Sequence, residues 1–181
     1  PQDITGNLNG PKATLVKNEI NKLEASLGDL RDRIANLSDG LTSLQRQGEQ
    51  LSAKYYANVA TINTQLQSGT TPGNPRLVDK LNAAQSNLQA LNHNLSGLNT
   101  QASYIADTAS EASYLLENAR GAFSLSGALE EEHVRLAEVE DSINATTVLI
   151  ERLLNTVSDS ISRTTAYLSS ERNNLRTLSL A

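Results

Sequence analysis

The chain has 181 residues, no Cys, Met or Trp, one Phe, 38% hydrophobic and 19% charged residues, and a net charge of −5. The acidic balance leaves no basic patch to neutralise phosphates, which argues against nucleic-acid binding. The missing cysteines exclude disulfides, thiolate metal sites and cysteine nucleophiles.

Residues 1–10 are expected to form a flexible N-terminal tail. Asn9 and Gly10 precede Pro11, which is favoured in a first helical turn, so a helix is predicted over 11–67. Along it Ile20, Leu23, Leu27, Leu30, Ile34, Leu37, Leu41 and Leu44 alternate at steps of three and four. The seam continues through Gly48, Leu51 and Tyr55, then becomes Val59, Ile62, Leu66. That shift is a stutter, which locally unwinds a supercoil.

Ser68-Gly69-Thr70-Thr71-Pro72-Gly73 holds two glycines and a proline and cannot continue a helix. Asn74 suits an N-cap and Pro75 the first helical position, so a second helix is predicted over 75–123. Its seam runs through Leu77, Leu81, Ala84, Leu88, Leu91, Leu95, Leu98, Ala102, Ile105, Ala109, Ala112, Leu116, Ala119 and Phe123. Alanine dominates the second half, which lets neighbouring helices approach closely.

Ser124-Leu125-Ser126-Gly127 marks the next break, with a third helix predicted over 127–180. Its seam of Leu129, Leu136, Val139, Ile143, Thr147, Ile150, Leu154, Val157, Ile161, Thr164, Leu168, Glu171, Leu175 and Leu178 is less clean. His133, Glu140, Thr147, Thr164 and Glu171 fall on or beside core positions. Glu130-Glu131-Glu132 places carboxylates at a helix N-terminus, where the macrodipole favours them. An alternative of six shorter helices would break near Gly40 and Gly97. The heptad phase passes through both without a slip, which favours unbroken helices.

These elements define an all-α fold: an elongated antiparallel three-helix bundle or coiled coil, up-down-up, forming one domain over 11–181. Short connections force neighbours to be antiparallel. Each helix would span about 75–85 Å at ~1.5 Å per residue. The chain begins at Pro1 without Met, which suggests a processed or trimmed form. A helix running on to Ala181 raises the expectation of a further domain beyond it. No signal peptide or membrane span is legible.

No catalytic constellation emerges, so the chain is expected not to be an enzyme, and neither metal nor cofactor is expected. A metal needs several converging ligands, yet His93 and His133 lie on different helices. His133 beside Glu130 and Glu132 reads best as a helix-surface histidine. Arg31 near Asp29 and Asp32, and Glu19 near Lys22, read as exposed helix-spaced pairs; Glu140 and Glu171 are candidates for burial. Glu171 with Arg172 and Arg176 reads as a polar end to the bundle. Gly69 and Gly73 lack the Lys and strand of a phosphate loop. Asn36, Asn94 and Asn144 begin glycosylation-type triplets, but mid-helix.

The feature that points to a partner is the second helix, almost free of charge. Asn82, Gln85, Asn87, Gln89, Asn92, Asn94, Asn99 and Gln101 are read as its outward positions. A neutral amide surface of this length suits lateral contact with another protein or another copy. The competing reading is a helix packed on both sides, where charge is avoided. Of the adjacent Tyr55 and Tyr56 only one can face the seam, leaving the other as a contact anchor. The candidate contact residues are therefore Asn82, Gln85, Gln89, Asn92 and Tyr56.

In composition the chain resembles flagellin-like axial proteins, being rich in Asn, Gln, Ser, Thr and Ala on long heptad helices. Thr164-Thr165-Ala166-Tyr167-Leu168 with Glu171-Arg172-Asn173-Asn174-Leu175 resembles the helical periplasmic stalk regions that precede peptidoglycan-anchoring domains in OmpA-type bacterial envelope proteins. That resemblance implies a structural spacer or scaffold of the bacterial cell envelope, periplasmic or extracellular. The compositional one implies a self-assembling subunit of a filament or secretion apparatus.

Overall fold

A computed structural model describes residues 11–125 and 130–180, with side chains from Thr14 onward. The fold is an all-α three-helix bundle: α1 spans Pro11–Gln67, α2 Pro75–Leu125 and α3 Glu130–Leu180. The helices run unbroken through Gly40 and Gly97, so the six-helix alternative is not realised. Helix α2 continues through Ser124 and Leu125, which the sequence assigned to the break. The Ser124 hydroxyl donates to the Arg120 carbonyl of the preceding turn at 3.2 Å, which is compatible with helix. The tail over 1–10 and the start at 127 lie outside the described residues.

The first connection shows how local chemistry ends and restarts a helix. Gly69 takes a φ of 90°, a region costly for any residue with a Cβ. Its N–H donates to the Leu66 carbonyl at 3.2 Å, and that of Thr70 to the Gln65 carbonyl at 3.0 Å. This is the Schellman arrangement, which satisfies carbonyls left open at the helix end. The Asn74 N–H then closes a turn onto the Thr71 carbonyl at 3.0 Å. The Asn74 Oδ1 accepts from the Arg76 N–H at 3.0 Å, capping α2 as expected.

Contacts divide the chain into two compact units, each drawing on all three helices. Unit 1 comprises Pro1–Leu37 and Tyr104–Leu154; unit 2 comprises Ser38–Ser103 and Asn155–Ala181. The core of unit 1 is built from Ile20, Leu23, Leu30, Ile105, Ala112, Leu136, Ile143 and Ile150, all nearly inaccessible. The core of unit 2 centres on Tyr55, Ile62, Leu77, Ala84, Leu88, Leu91, Leu168 and Leu175. In unit 2, Gly40 faces Gln101 and Gly48 faces Asn94, so α1 and α2 are antiparallel. Gln45 meets Ser160 and Tyr55 meets Glu171, so α1 and α3 are parallel.

The buried stripe departs from the predicted seams by one position at several turns. Thr108, Leu115 and Ala122 are buried, while Ala109 and Leu116 are half-buried and Phe123 is exposed. On α3, Thr146 and Ser160 are buried, while Thr147 and Ile161 are half-buried. A helix touching two neighbours buries a wider stripe than a two-stranded seam, so adjacent positions compete for it. A buried threonine is tolerated where its hydroxyl bonds its own helix. Thr108 donates to the Tyr104 carbonyl at 2.8 Å and Thr146 to the Ser142 carbonyl at 2.7 Å, leaving the methyl to pack.

Candidate partner-contact surface

Of the candidate contact residues, Asn82, Gln85, Gln89 and Asn92 are all exposed on α2, and Tyr56 is 74% exposed on α1. The adjacent Tyr55 is buried, so the tyrosine pair divides as its spacing requires. Not every amide read as outward faces water. Asn94 is buried, with its Nδ2 donating to the Leu44 carbonyl of α1 at 2.9 Å. Gly48 makes room for it: a Cβ there would lie 3.2 Å from Asn94 Oδ1. Gln101 is half-buried, and its amide lies against Gly40 of α1. Part of the amide row therefore packs on α1, and the free amide face is narrower than the eight positions read as outward.

That free face borders two shallow depressions of unit 2, both between α2 and α3. One, of about 500 Å³, is floored by Leu81, Leu88 and Leu175 and rimmed by Gln85, Gln89, Arg172, Arg176 and Ser179. The other, of about 270 Å³, joins Asn92 and Leu95 to Thr165, Leu168, Ser169 and Asn173, and shares both arginines with the first. Gln85, Gln89 and Asn92 thus lie along one groove, whereas Asn82 and Tyr56 line neither depression. Among the described residues, no carboxylate lines the groove. In the sequence alone, Arg172 and Arg176 read as a polar end of the bundle. Their i, i+4 spacing beside Leu168 and Leu175 was the signal that both edge the same groove.

Glu171, next to Arg172 in sequence, lines neither depression. It is half-buried rather than buried, and its Oε2 accepts from the Tyr55 hydroxyl at 3.0 Å and from Asn174 Nδ2 at 3.3 Å. Tyr55 stands edge-on to Tyr167, with centroids 6.2 Å and planes 79° apart. Burial, followed by the Glu171 hydrogen bond and charge, raises the Tyr55 phenol well above its ordinary 10.0. Tyr167 is raised first by burial, then by the Glu171 charge, and lowered slightly by its Ser52 hydrogen bond. About three turns away along α1 and α3, Gln45 Nε2 donates to Ser160 Oγ at 3.0 Å. These polar atoms satisfy one another, which suits a role in fixing helix register.

Unit 1 carries its charge differently. Arg33 pairs with Glu111, Arg120 with Glu140 at 3.2 Å, and Arg135 with Glu24 at 3.0 Å. These pairs join different helices, unlike the i-spaced pairs read from the sequence. At such exposure each stabilises by about 0.2–1 kcal/mol. Glu140, a candidate for burial, is half-buried in its pair, whereas Glu132, read as a first-turn carboxylate rather than as a buried one, is 8% exposed. His133 stacks on Phe123, with centroids 4.6 Å apart and planes at 20°. That contact draws Phe123 sideways and leaves Ala122 to the core.

Among the described residues, no three His, Asp or Glu side chains gather where they could hold a metal ion. No described helix is long and apolar enough to cross a membrane. No family model, curated protein or solved structure matches the chain.

Proposed function

We propose that the chain is a non-enzymatic structural and interaction module, a helical spacer or scaffold of the bacterial cell envelope, with the α2 amide face as its protein-contact surface. The observation that carries this reading is the exposed row Asn82, Gln85, Gln89 and Asn92, three of which lie along a groove edged by Arg172 and Arg176. Neutral amides lose less on desolvation than charges and offer both donors and acceptors to a partner. The polar stretch near the end of α3, with its likeness to periplasmic stalks, supports the envelope setting.

The test introduces charge without changing shape. An N82D/Q85E/Q89E/N92D variant replaces exposed amides by isosteric carboxylates, so its helicity and melting should match the parent's. Partners captured by the parent in its native cell, and quantified by mass spectrometry, should be lost with the variant. The same partners captured equally by both would overturn the reading.

A further inference from the structure

Chain order hides a separation of charge that the fold brings out. Unit 1 gathers eight basic and fifteen acidic residues, net −7, and unit 2 gathers seven basic and five acidic, net +2. Within unit 2, Arg172 and Arg176 edge the α2–α3 groove, and neither meets a carboxylate among the described residues. Within unit 1, α3 exposes Val134, Val148 and Leu149, about half accessible at 52%, 47% and 48%. Glu138, Asp141 and Ala145, all exposed, fall between them on the same helical face. Neither Glu138 nor Asp141 belongs to an ion pair among the described residues.

We propose that this acidic, apolar-flanked stripe of one copy docks in the α2–α3 groove of a second copy. Laid antiparallel to α3, the stripe would bring Glu138 and Asp141 to Arg172 and Arg176, with Val134 over the half-buried Leu81 and Val148 and Leu149 over the half-buried Leu95. The spacings agree: the two acids are about 4.5 Å apart along their helix and the two arginines about 6 Å along theirs, at ~1.5 Å per residue. Two helices laid side by side therefore bring both pairs together. A nucleic acid is a poorer occupant, because two arginines on a chain of net charge −5 release few counterions. The inference rests on the reading of α2 as a contact face and names a second copy as what covers it. The contact joins two different surfaces, so it is heterologous.

Light scattering after size exclusion, over a concentration series of the full chain, tests it. The parent mass should rise above 19.5 kDa with concentration and fall back at about 1 M salt, where screening acts within ~3 Å. R172E/R176E alone and E138R/D141R alone should each assemble at least about tenfold more weakly, since like charges then face each other. All four side chains are exposed, so both variants should keep the parent's helicity. Mixing the two variants should restore assembly, because each then offers the charge the other lacks. A parent that stays at one chain at every concentration, or variants that assemble as the parent does, would overturn the proposal. If the parent stays single while N82D/Q85E/Q89E/N92D still loses its cellular partners, self-docking fails and the proposed function stands.

Discussion

Tyr55→Phe isolates one hydroxyl at the heart of unit 2. The ring is 2% exposed and lies edge-on to Tyr167, contacts that phenylalanine keeps. What disappears is the O–H donated to Glu171 Oε2 at 3.0 Å. A hydrogen bond to a charged acceptor stabilises by about 1.5–3 kcal/mol. Glu171 is only half-buried and can turn to water, so the loss belongs at the low end, about 1.5 kcal/mol. For a chain of this size that lowers the melting temperature by about 3–6 °C. The alkaline limb gives a second readout. The phenols of Tyr55 and Tyr167 are both raised, so the folded state holds their protons more tightly than the unfolded state. The stability they contribute is full below the ordinary value of 10.0 and is lost as pH climbs from there through the folded values. Each raised tyrosine adds a slope of about 1.4 kcal/mol per pH unit in that window. Urea unfolding followed by circular dichroism at about pH 8 and about pH 11 should show the variant less stable at the first and closer to the parent at the second. A variant within about 0.5 kcal/mol of the parent at about pH 8, or an unchanged alkaline slope, would refute the reasoning.

Other substitutions probe the packing. Leu91, 3% exposed, should not tolerate a carboxylate. Leu91→Asp should cost more than about 4 kcal/mol and abolish the cooperative melt, whereas an unchanged melt would mean the seam is misassigned. At Gly28 an added Cβ meets nothing within 4 Å, whereas at Gly97 it would sit 3.0 Å from Leu44 Cδ2. Gly28→Ala should therefore stabilise by about 0.8–1 kcal/mol in urea unfolding, with little or no gain from Gly97→Ala. Equal gains would contradict the close approach of α1 and α2. Gly69→Ala, at φ 90°, should destabilise by about 1–2 kcal/mol, and Gly69→Asn by less. An alanine variant as stable as the parent in thermal melts would show that the turn does not need that conformation.

The helices were legible because their ends are written in strong local chemistry. Pro11 and Pro75 fix φ by their rings, Gly69 admits a positive φ and Asn74 caps through its side chain, each a local effect of the residue itself. The heptads from Ile20 to Leu44 and from Leu77 to Leu98 were legible for a similar reason, since repetition outweighs single exceptions. Choices between adjacent positions were not. Polarity favours Ile161 over Ser160 and Ala109 over Thr108, yet the wider stripe of a three-helix contact reverses both, with the Thr108 hydroxyl bonded within its own helix and that of Ser160 to Gln45 of α1. Asn94 looked like its neighbours, and only Gly48 on the facing helix makes it a core residue. Pairs such as Arg135 with Glu24, 111 residues apart, leave no periodic trace. The charge separation was hidden for a related reason. Each unit collects segments far apart in sequence, so counts along the chain averaged it away. The role of Arg172 and Arg176 depends on Gln85, Gln89 and Leu88 lying opposite, which only the paired helices reveal.

The contact face is tested most directly by site-specific photo-crosslinking in the native cell. A photoreactive residue at Gln89, on the groove, is compared with one at Thr42, exposed on α1 and lining neither depression. A discrete protein adduct at Gln89, repeated at Gln85 and Asn92 and absent at Thr42, is the predicted result. No adduct along α2, or the same adduct at Thr42, would contradict the assignment of this face as the surface through which the chain works.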